Sequence, residues 1–484
     1  MGFLSRILGR GQAPAPQLAP RIFLTNTLTN AKEPFIPLKA GRATLYTCGP
    51  TVYGQQHIGN LRPAVFSDTL ARTLTFAGFR VHRVINITDV GHLVDNAEEG
   101  EDKMAASAKK EKVSPHDIAE RYAKRFIEDL DELDVDTRDI QFPRATEYIK
   151  EQIALAKTLE EKGFAYRIRD GLYFDTSKFP GYGKLGHLQD VALRAGARVA
   201  MVEGKRNPMD FALWRTAKPG DLQQWDSPWG MGNPGWHIEC SAMSRALLGI
   251  ELDIHTGGED LATIHHNDEI AQSEAANGRQ FVRYWMHNAF VTMGGEKISK
   301  SLGNVVYLSD IIERGYHPLA YRYFLLQAHY RTPVSFTWNA LDAAQGALAR
   351  LWNVAREIAE ESGRKSAPSE SRERFVAAMR DDLATPQAIG TLWETLRSEE
   401  FSPEEKWGLL EDAEAHLGLS LLSPPALSVA PEEAPQEVRE LLAKRENARN
   451  AKDFQEADRL RSEIETRGYR VEDSAEGAIL TRRK

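Results

Sequence analysis

Residues 43–60 read ATLYTCGPTVYGQQHIGN, and they carry the main signal for the fold. The run 43–48 is rich in β-forming residues and stops at a Gly-Pro pair. An amphipathic stretch follows at 58–77, and VHRVINI at 81–87 is a second strand candidate. Strand, helix and strand at this spacing form a βαβ unit. The sequence therefore predicts a doubly wound parallel sheet.

Length and composition restrict the class of protein. A chain of 484 residues exceeds what one hydrophobic core supports, so we expect several domains. With 42% hydrophobic and 27% charged residues and no long apolar run, the chain is not a membrane protein. The net charge of -8 argues against binding nucleic acid through bulk positive charge alone. Two cysteines exclude a disulfide framework and fit a reducing, cytoplasmic location.

Patterns further along the chain predict the remaining organisation. Strand candidates return at 252–255 and 285–292, which indicates that the sheet resumes after an insertion. Beyond residue 303 the pattern is almost wholly helical, and the Pro-rich, acidic stretch 421–437 is typical of a linker. A mixed-charge helix is predicted over 437–468, ahead of a β-like tail.

We therefore expect an α/β protein: a Rossmann-like catalytic domain with a small insertion, then an α-helical bundle and a small C-terminal unit. The first segment is interpreted as a flexible tether, with a transit peptide as the weaker alternative. The predicted units are the tether (1–21), the first catalytic half (22–139), the connective insertion (140–215), the second catalytic half (216–303), the helical domain (304–421) and the C-terminal unit (438–484).

Two short motifs indicate nucleotide chemistry. His57 to Asn60 (HIGN) lies where the first strand passes into its helix, which is where doubly wound sheets bind phosphates. Gly59 lets a base approach the backbone, and His57 can donate to a phosphate whose charge is moving. Far downstream, EKISKSLGN contains Lys297 and Lys300, a cationic pair suited to a pyrophosphate leaving group. Each motif alone is weak evidence, but the two in this order are specific.

This pair resembles the HIGH and KMSKS signatures of class I aminoacyl-tRNA synthetases. Asn60 stands in place of the second histidine, and Ile298 in place of the methionine. The resemblance implies ATP as a substrate, accompanied by Mg²⁺. It also implies catalytic roles for His57, Lys297 and Lys300.

The cysteines indicate which amino acid is handled. Cys48 lies in the opening stretch and Cys240 lies in PGWHIECSAMS, while His265 and Glu269 are spaced i, i+4 on a predicted helix. Taken singly, each is more often a buried thiol, a core histidine or a solvated acid. The surrounding sequence resembles the cysteinyl-tRNA synthetases, whose active-site zinc binds the thiolate of the substrate. By that resemblance the ligands of one Zn²⁺ are Cys48, Cys240, His265 and Glu269, with His266 as the less favoured histidine.

The same resemblance extends over roughly 22–484 and implies further site residues. Those around the substrate cysteine are Cys48, Thr88, Trp236 and His255. Those expected to bind ATP are His57, Gly59, Asn60, Gly257, Gly258, Asp260 and Lys300. Selection of cysteine by a metal would also make an editing domain unnecessary, which agrees with the small predicted insertion.

The predicted activity is that of a cysteine–tRNA ligase whose partners are L-cysteine, ATP and tRNA(Cys). Arginines of the C-terminal unit, Arg459, Arg461, Arg467 and Arg470, are the candidate RNA contacts. We expect a monomer. A rival interpretation is a ligase with the same activation step but a small amino-sugar acceptor. A second rival is a catalytically idle, zinc-bearing RNA-binding module.

Overall fold

The computed structural model describes residues 21–90, 103–185, 202–298, 303–425, 428–429, 434–467, 469–474 and 477–482. The predicted tether lies outside these ranges except for Arg21. Within them, no helix combines the length and the apolar character needed to cross a membrane.

The described strands and helices alternate in the first two thirds of the chain, and helices then dominate. The strands are β1 Phe23–Asn26, β2 Ala31–Pro34, β3 Arg42–Thr47, β4 Arg80–Ile85, β5 Ile140–Gln141, β6 Ala165–Ile168, β7 Gly171–Phe174, β8 Phe211–Thr216, β9 Gly232–Pro234, β10 Leu252–Gly258, β11 Val282–Asn288, β12 Val291–Met293, β13 Glu296–Lys297, β14 Val334–Ser335, β15 Ser428–Val429, β16 Tyr469–Ser474 and β17 Gly477–Arg482.

The α-helices occur in both catalytic halves, within the predicted insertion and throughout the C-terminal part. They are α1 Ile58–Phe76, α2 Lys103–Glu111, α3 Pro115–Glu132, α4 Ile149–Glu161, α5 Trp236–Leu248, α6 Glu259–Thr263, α7 His265–Asn277, α8 Leu308–Glu313, α9 Pro318–Leu326, α10 Trp338–Glu361, α11 Glu370–Arg380, α12 Thr385–Arg397, α13 Pro403–Leu417, α14 Gln436–Asn450 and α15 Phe454–Thr466. Two short 3₁₀ helices cover Ala145–Tyr148 and Thr176–Lys178.

A five-stranded parallel sheet with the order β11-β10-β3-β4-β5 forms the centre of the catalytic region. The chain passes from β3 through α1 to β4 on one side, and β10 lies on the other side of β3. The direction of winding therefore reverses at β3, and such a switch point opens a crevice at the carboxyl ends of the strands. The predicted doubly wound fold is confirmed.

Both faces of this sheet are covered by helices. Leu45 of β3 packs in the largest core together with residues of α1, whereas Tyr46 packs on the opposite face with Cys240 and Ile270. The strands of a parallel sheet with two buried faces are nearly continuously apolar, as 43–48 is. Helix α1 ends at Phe76, and Gly78 follows with a φ of 92° that favours glycine.

The predicted insertion, 140–215, differs from the structure at both ends. Ile140–Gln141 is β5 and pairs in parallel with β4, so it belongs to the central sheet. A four-stranded antiparallel sheet, β6-β7-β8-β9, continues to Pro234 because β8 pairs with β9. The second catalytic half therefore resumes at α5 rather than at residue 216. Strands of two or three residues depend on their partners and leave little local signal.

Arg322 of α9 joins the helical region to the sheet. Its side chain is fully buried, and a guanidinium N–H donates to Asp68 of α1 at 2.7 Å. Further N–H groups donate to the carbonyl oxygens of Leu417 at 2.6 Å and Leu133 at 2.9 Å. Asp68 also pairs with Arg72 at 2.7 Å. A single buried guanidinium thus connects α1, the end of α3 and the end of α13.

The C-terminal unit begins before the predicted residue 438. Strand β15, inside the predicted linker, pairs antiparallel with β17, and α14 already starts at Gln436. The single helix predicted over 437–468 is wrong, because the chain breaks at Lys452, whose φ is 60°. Asp453 then caps α15. This unit has its own small core, which includes Leu442, Leu460 and Ile464.

Candidate active site

A cavity of about 740 Å³ opens at the switch point of the central sheet. Its walls come from the carboxyl ends of β3 and β10, from the first turn of α1 and from β13. Backbone N–H groups at the start of α1 make this a favourable position for phosphate. Among the predicted site residues, those that line it are Cys48, His57, Gly59, Asn60, Gly258, Asp260 and Lys297.

The start of α1 is held against the segment that follows the second motif. His57 precedes the helix with an extended backbone (φ −79°, ψ 163°). The N–H of Ile58 donates to the Val306 carbonyl at 2.9 Å, and the Tyr321 hydroxyl donates to the Ile58 carbonyl at 2.8 Å. A Cβ on Gly59 would lie 3.1 Å from the His57 ring, so a larger residue would crowd that imidazole. The sequence motif is therefore built into a fixed corner of the cavity.

Lys297 lies on the opposite wall. Its ammonium group is 2.8 Å from Asp260 Oδ2 and 4.3 Å from the centroid of the Phe290 ring. Both charged side chains are about half exposed, so the pair remains accessible to a ligand that enters the cavity. Lys300 lies outside the described residues. Gly257 is not part of the described lining, and a Cβ there would lie 2.9 Å from the His266 ring.

The four predicted metal ligands converge below this cavity. One ligand atom from each of Cys48, Cys240, His265 and Glu269 lies within 4.8 Å of the other three. The two sulfur atoms are 3.9 Å apart. Nε2 of His265 is 3.2 Å from Oε1 of Glu269, as expected for an i, i+4 pair on α7. Cys48 belongs to both the cluster and the cavity, and it therefore joins the two.

A second, overlapping group of ligand atoms shares two of these residues. Cys48 and Glu269 also lie within 4.8 Å of ligand atoms from His255 and His266. Nε2 of His266 is 3.3 Å from the Cys48 sulfur, and Nε2 of His255 is 3.0 Å from Oε2 of Glu269. Nδ1 of His266 is in turn 2.7 Å from Nε2 of His287. Geometry alone thus offers either neighbouring histidine of α7 as a ligand.

The cluster holds a buried carboxylate and two thiols, an arrangement that a bound cation would stabilise. Burial raises the pKa of the Cys48 thiol well above its ordinary value, and Cys240 and Glu269 add to the rise. The hydrogen bond with Cys48 lowers the pKa of Cys240, but burial and the Glu269 charge raise it overall. Burial, with His255 and other histidines, holds the pKa of His266 well below its usual range. Within the described ranges Glu269 has no ion pair with lysine or arginine, although its side chain is fully buried. A buried carboxylate of this kind requires a compensating charge.

The residues predicted around the substrate cysteine border the cluster. The Trp236 ring is 4.4 Å from that of His265. The Thr88 hydroxyl donates to buried Glu239 at 3.2 Å. His255 is fully buried and stacks on Trp285 at 4.6 Å. None of these three is among the described residues that line the cavity.

Behind His265 lies a series of polar side chains that was not predicted from the sequence. Nδ1 of His265 is 2.9 Å from Nδ1 of His237, and Nε2 of His237 is 3.2 Å from Oδ2 of Asp268. The Tyr182 hydroxyl donates to the other oxygen of Asp268 at 2.5 Å. Such contacts fix the orientation of a ligand histidine. The available signal was the placement of His237 three positions before Cys240, on the same helix face.

Comparison with family models gives two matches that together span most of the chain. The model described as the catalytic domain of class I (C) tRNA synthetases matches residues 34–346. The model described as the cysteinyl-tRNA ligase anticodon-binding domain matches residues 432–478.

Curated relatives align over almost the whole length. The chain is 46% identical over 461 residues to cysteine–tRNA ligase 1 of Burkholderia lata, which covers 94% of this chain and 96% of that protein. It is 44% identical over 476 residues to the cysteine–tRNA ligase of Caldicellulosiruptor saccharolyticus, with 95% and 100% covered. For a cysteine–tRNA ligase of Thermus thermophilus the identity is 41% over 478 residues, with 94% and 98% covered.

Solved structures resemble the chain at lower identity. A Mycobacterium tuberculosis methionyl-tRNA synthetase in complex with methionyl-adenylate superposes with a TM-score of 0.54 at 15% identity, covering 82% of this chain and 96% of that one. An Agrobacterium radiobacter LeuRS–tRNA–LeuAMS complex gives a TM-score of 0.56 at 13% identity, with 81% and 86% covered. At these identities the likeness concerns the fold alone.

Proposed function

Because the chain belongs to the cysteine–tRNA ligases, a family of class I aminoacyl-tRNA synthetases, we propose that it selects its amino acid through a zinc ion beside the ATP cavity. The enzyme activates L-cysteine with ATP and transfers it to tRNA. The proposed zinc ligands are Cys48, Cys240, His265 and Glu269. The observation that carries the proposal is the 3.9 Å approach of two sulfur atoms from cysteines 192 positions apart.

The donor set fits zinc. Two sulfur atoms, one imidazole nitrogen and one carboxylate oxygen form a borderline-soft set of four, which Zn²⁺ prefers. The fully buried Glu269 carboxylate, with one oxygen within 4.8 Å of a ligand atom from each of the other three residues, supports a cation at this position. When bound, zinc supplies a Lewis acid that favours a thiolate over a hydroxyl group, and so distinguishes cysteine from serine.

The cavity residues act on ATP, which we expect to enter with Mg²⁺. The carboxylate of the substrate attacks the α-phosphate in line, so no side chain serves as a nucleophile. We assign to His57, Lys297 and Lys300 the stabilisation of charge that develops on the phosphates. Gly59 leaves room for the base. Lys297 must leave its 2.8 Å ion pair with Asp260 to reach the phosphates.

The second step passes the cysteinyl group to a ribose hydroxyl at the end of tRNA(Cys), the 2'-hydroxyl if the class I pattern holds. We propose that arginines of the C-terminal unit contact the RNA backbone. In the free enzyme Arg459 pairs with Glu456 at 2.7 Å, and Arg467 pairs with Glu463 at 3.4 Å, so phosphates must compete with these carboxylates. The side chain of Arg470 lies outside the described part. We expect the ligase to act in the cytoplasm as a monomer.

The rival acceptor, a small amino sugar, is not favoured. Residues 432–478 match an anticodon-binding domain, and a ligase with an amino-sugar acceptor would not need such a domain. The idle RNA-binding module is disfavoured because the aligned relatives are themselves named as ligases.

The test combines metal analysis with cysteine-dependent exchange of pyrophosphate into ATP. We expect about one zinc per purified chain, exchange with cysteine and almost none with serine. Cys240→Ser and Glu269→Gln should lose both the zinc and the exchange. Glu274→Gln is the matched control, since Glu274 lies on the same helix and pairs with Lys184 at 2.6 Å but is not among the clustered ligand residues. Full zinc content in Cys240→Ser would contradict the ligand assignment.

The choice between the two histidines is tested separately. His265→Ala should lose the zinc, whereas His266→Ala should retain it. The opposite result would move the site to the second group of ligand atoms, with His255 and His266, and would refute the proposed set.

A further inference from the structure

A second cavity, of about 590 Å³, lies far from the ATP site. We call it the rear cavity. It is open to solvent on one side and is bordered by β1, by the carboxyl end of α1 and by helices α11 and α13. Its lining includes Arg21, Phe23, Phe76, Ala377 and Arg380. Helix α1 has 19 residues and connects the two cavities end to end, which separates them by about 28 Å. The volume falls in the range of about 300 to 1,000 Å³ that is usual for small-molecule sites.

The walls of the rear cavity are tied together by specific contacts. The N–H of Asp382 donates to the Phe23 carbonyl at 2.9 Å, and the Thr25 hydroxyl donates to the Asp382 carboxylate at 2.6 Å. On the other side Arg372 of α11 donates two hydrogen bonds to Asp412 of α13, at 2.8 and 2.9 Å. The cavity is therefore held open by bonds that do not need a ligand, so its shape is largely preformed.

Two of the acidic side chains that line the rear cavity are already paired, whereas the lining residue Arg380 is not paired within the described ranges. Asp381 pairs with Lys32 at 2.6 Å, and Asp412 is neutralised by Arg372. Arg380 forms no ion pair with any described residue, and its Nε is buried without a hydrogen-bond partner in that part of the chain. Burial lowers the pKa of the Arg380 guanidinium. Because Arg380 also lines the cavity, an anionic ligand there would supply the counter-charge that this guanidinium lacks.

Aromatic surface lies beside this guanidinium. Phe76 is 38% exposed, and its ring centroid lies 4.3 Å from that of His416. Phe23 forms the neighbouring wall. Two phenyl rings next to an unpaired arginine recognise a flat apolar body that carries a negative charge.

We propose that the rear cavity binds a small organic anion, with its carboxylate or phosphate on Arg380 and its ring against Phe23 and Phe76. Arg21 stands exposed at the rim and adds positive charge, while Glu373, also at the rim, is exposed to solvent. This site is independent of the cysteine, ATP and zinc sites.

The experiment uses the fluorescent aromatic anion anilinonaphthalene sulfonate on the full chain, without ATP, and dye bound at the active site is the share of binding that does not differ among the variants. Arg380→Gln removes the guanidinium, and Ala377→Trp fills the cavity from an exposed position. Loss of one charge-assisted hydrogen bond should weaken dye binding about tenfold in Arg380→Gln. Arg374→Gln is the matched control, because this arginine lies on the same helix but pairs with Glu394 on the surface at 2.9 Å.

Displacement of the dye by phenylacetate or by phenyl phosphate would support the site, and the tighter of the two would show whether it prefers a carboxylate or a phosphate. Equal dye affinity in Arg380→Gln, Ala377→Trp and Arg374→Gln would overturn the proposal. So would dye binding that appears only after residues 1–20 are deleted, since the chain's own N-terminal segment would then be the occupant. Cysteine-dependent pyrophosphate exchange should be unchanged in all three variants.

Discussion

Replacing Arg322 with methionine should destabilise the folded enzyme by about 3 to 5 kcal/mol, the cost of breaking a buried ion pair. The estimate follows from the contacts of Arg322. Its guanidinium and the Asp68 carboxylate are both fully buried and 2.7 Å apart. Removing the guanidinium also leaves the Leu417, Leu133 and Asp134 carbonyls without this donor.

Asp68→Asn should cost more than Arg322→Met. Asp68 is the carboxylate shared by Arg322, Arg72 and Arg83, at 2.7, 2.7 and 3.2 Å. Burial opposes its ionisation, but these three arginines outweigh burial and hold the pKa of Asp68 below its ordinary value. Neutralising it leaves buried positive charges close together, whereas Arg322→Met leaves the carboxylate with two partners.

The assay is the free energy of unfolding from urea titration, followed by circular dichroism at neutral pH. Arg374→Met is the control, since its ion pair with Glu394 is equally short at 2.9 Å but largely exposed and should contribute about 1 kcal/mol or less. An Arg322→Met variant that is no more destabilised than this control would contradict the role of the buried pair, and so would an Asp68→Asn variant that is milder than Arg322→Met.

Three further predictions concern single side chains. Gly49→Ala should cost several kcal/mol and abolish exchange, because its Cβ would collide with the Asn86 carbonyl oxygen; wild-type stability in this variant would contradict the geometry. Burial lowers the pKa of His416 to about 4, so the unfolded chain binds the proton first as the pH falls below about 6.5. His416 should therefore contribute a loss of about 2 kcal/mol in the free energy of unfolding between pH 7 and pH 5. In urea titrations at the two pH values, His416→Leu should show a pH-dependent loss smaller than that of the wild type by this amount. Phe290→Leu removes the ring 4.3 Å from the Lys297 ammonium and should slow exchange about two- to fivefold, while Phe290→Tyr, which keeps a ring, should not.

Local sequence was sufficient for the regular parts of the catalytic fold. Each regular element has the hydrophobic pattern of its own type, as in the β-forming run 43–48, the amphipathic stretch 58–77 and the strand candidate 81–87. The structure has a strand, a helix and a strand within a residue or two of those bounds. The order of the two motifs, HIGN and then EKISKSLGN, predicted the nucleotide crevice. The i, i+4 spacing of His265 and Glu269 predicted that both side chains lie on one helix face.

Tertiary structure alone decided what depends on distant partners. Strands β5, β9 and β15 have two or three residues each, and they are strands because they pair with a neighbour rather than because of their own propensity. For that reason the predicted domain limits at 140, 215 and 438 differ from the limits of the sheets in the structure. The meeting of Cys48 and Cys240 arises because β3 and α5 pack on each other across one face of the sheet. No local pattern encodes that distance, since it is set by the packing of segments that the chain separates by 192 positions.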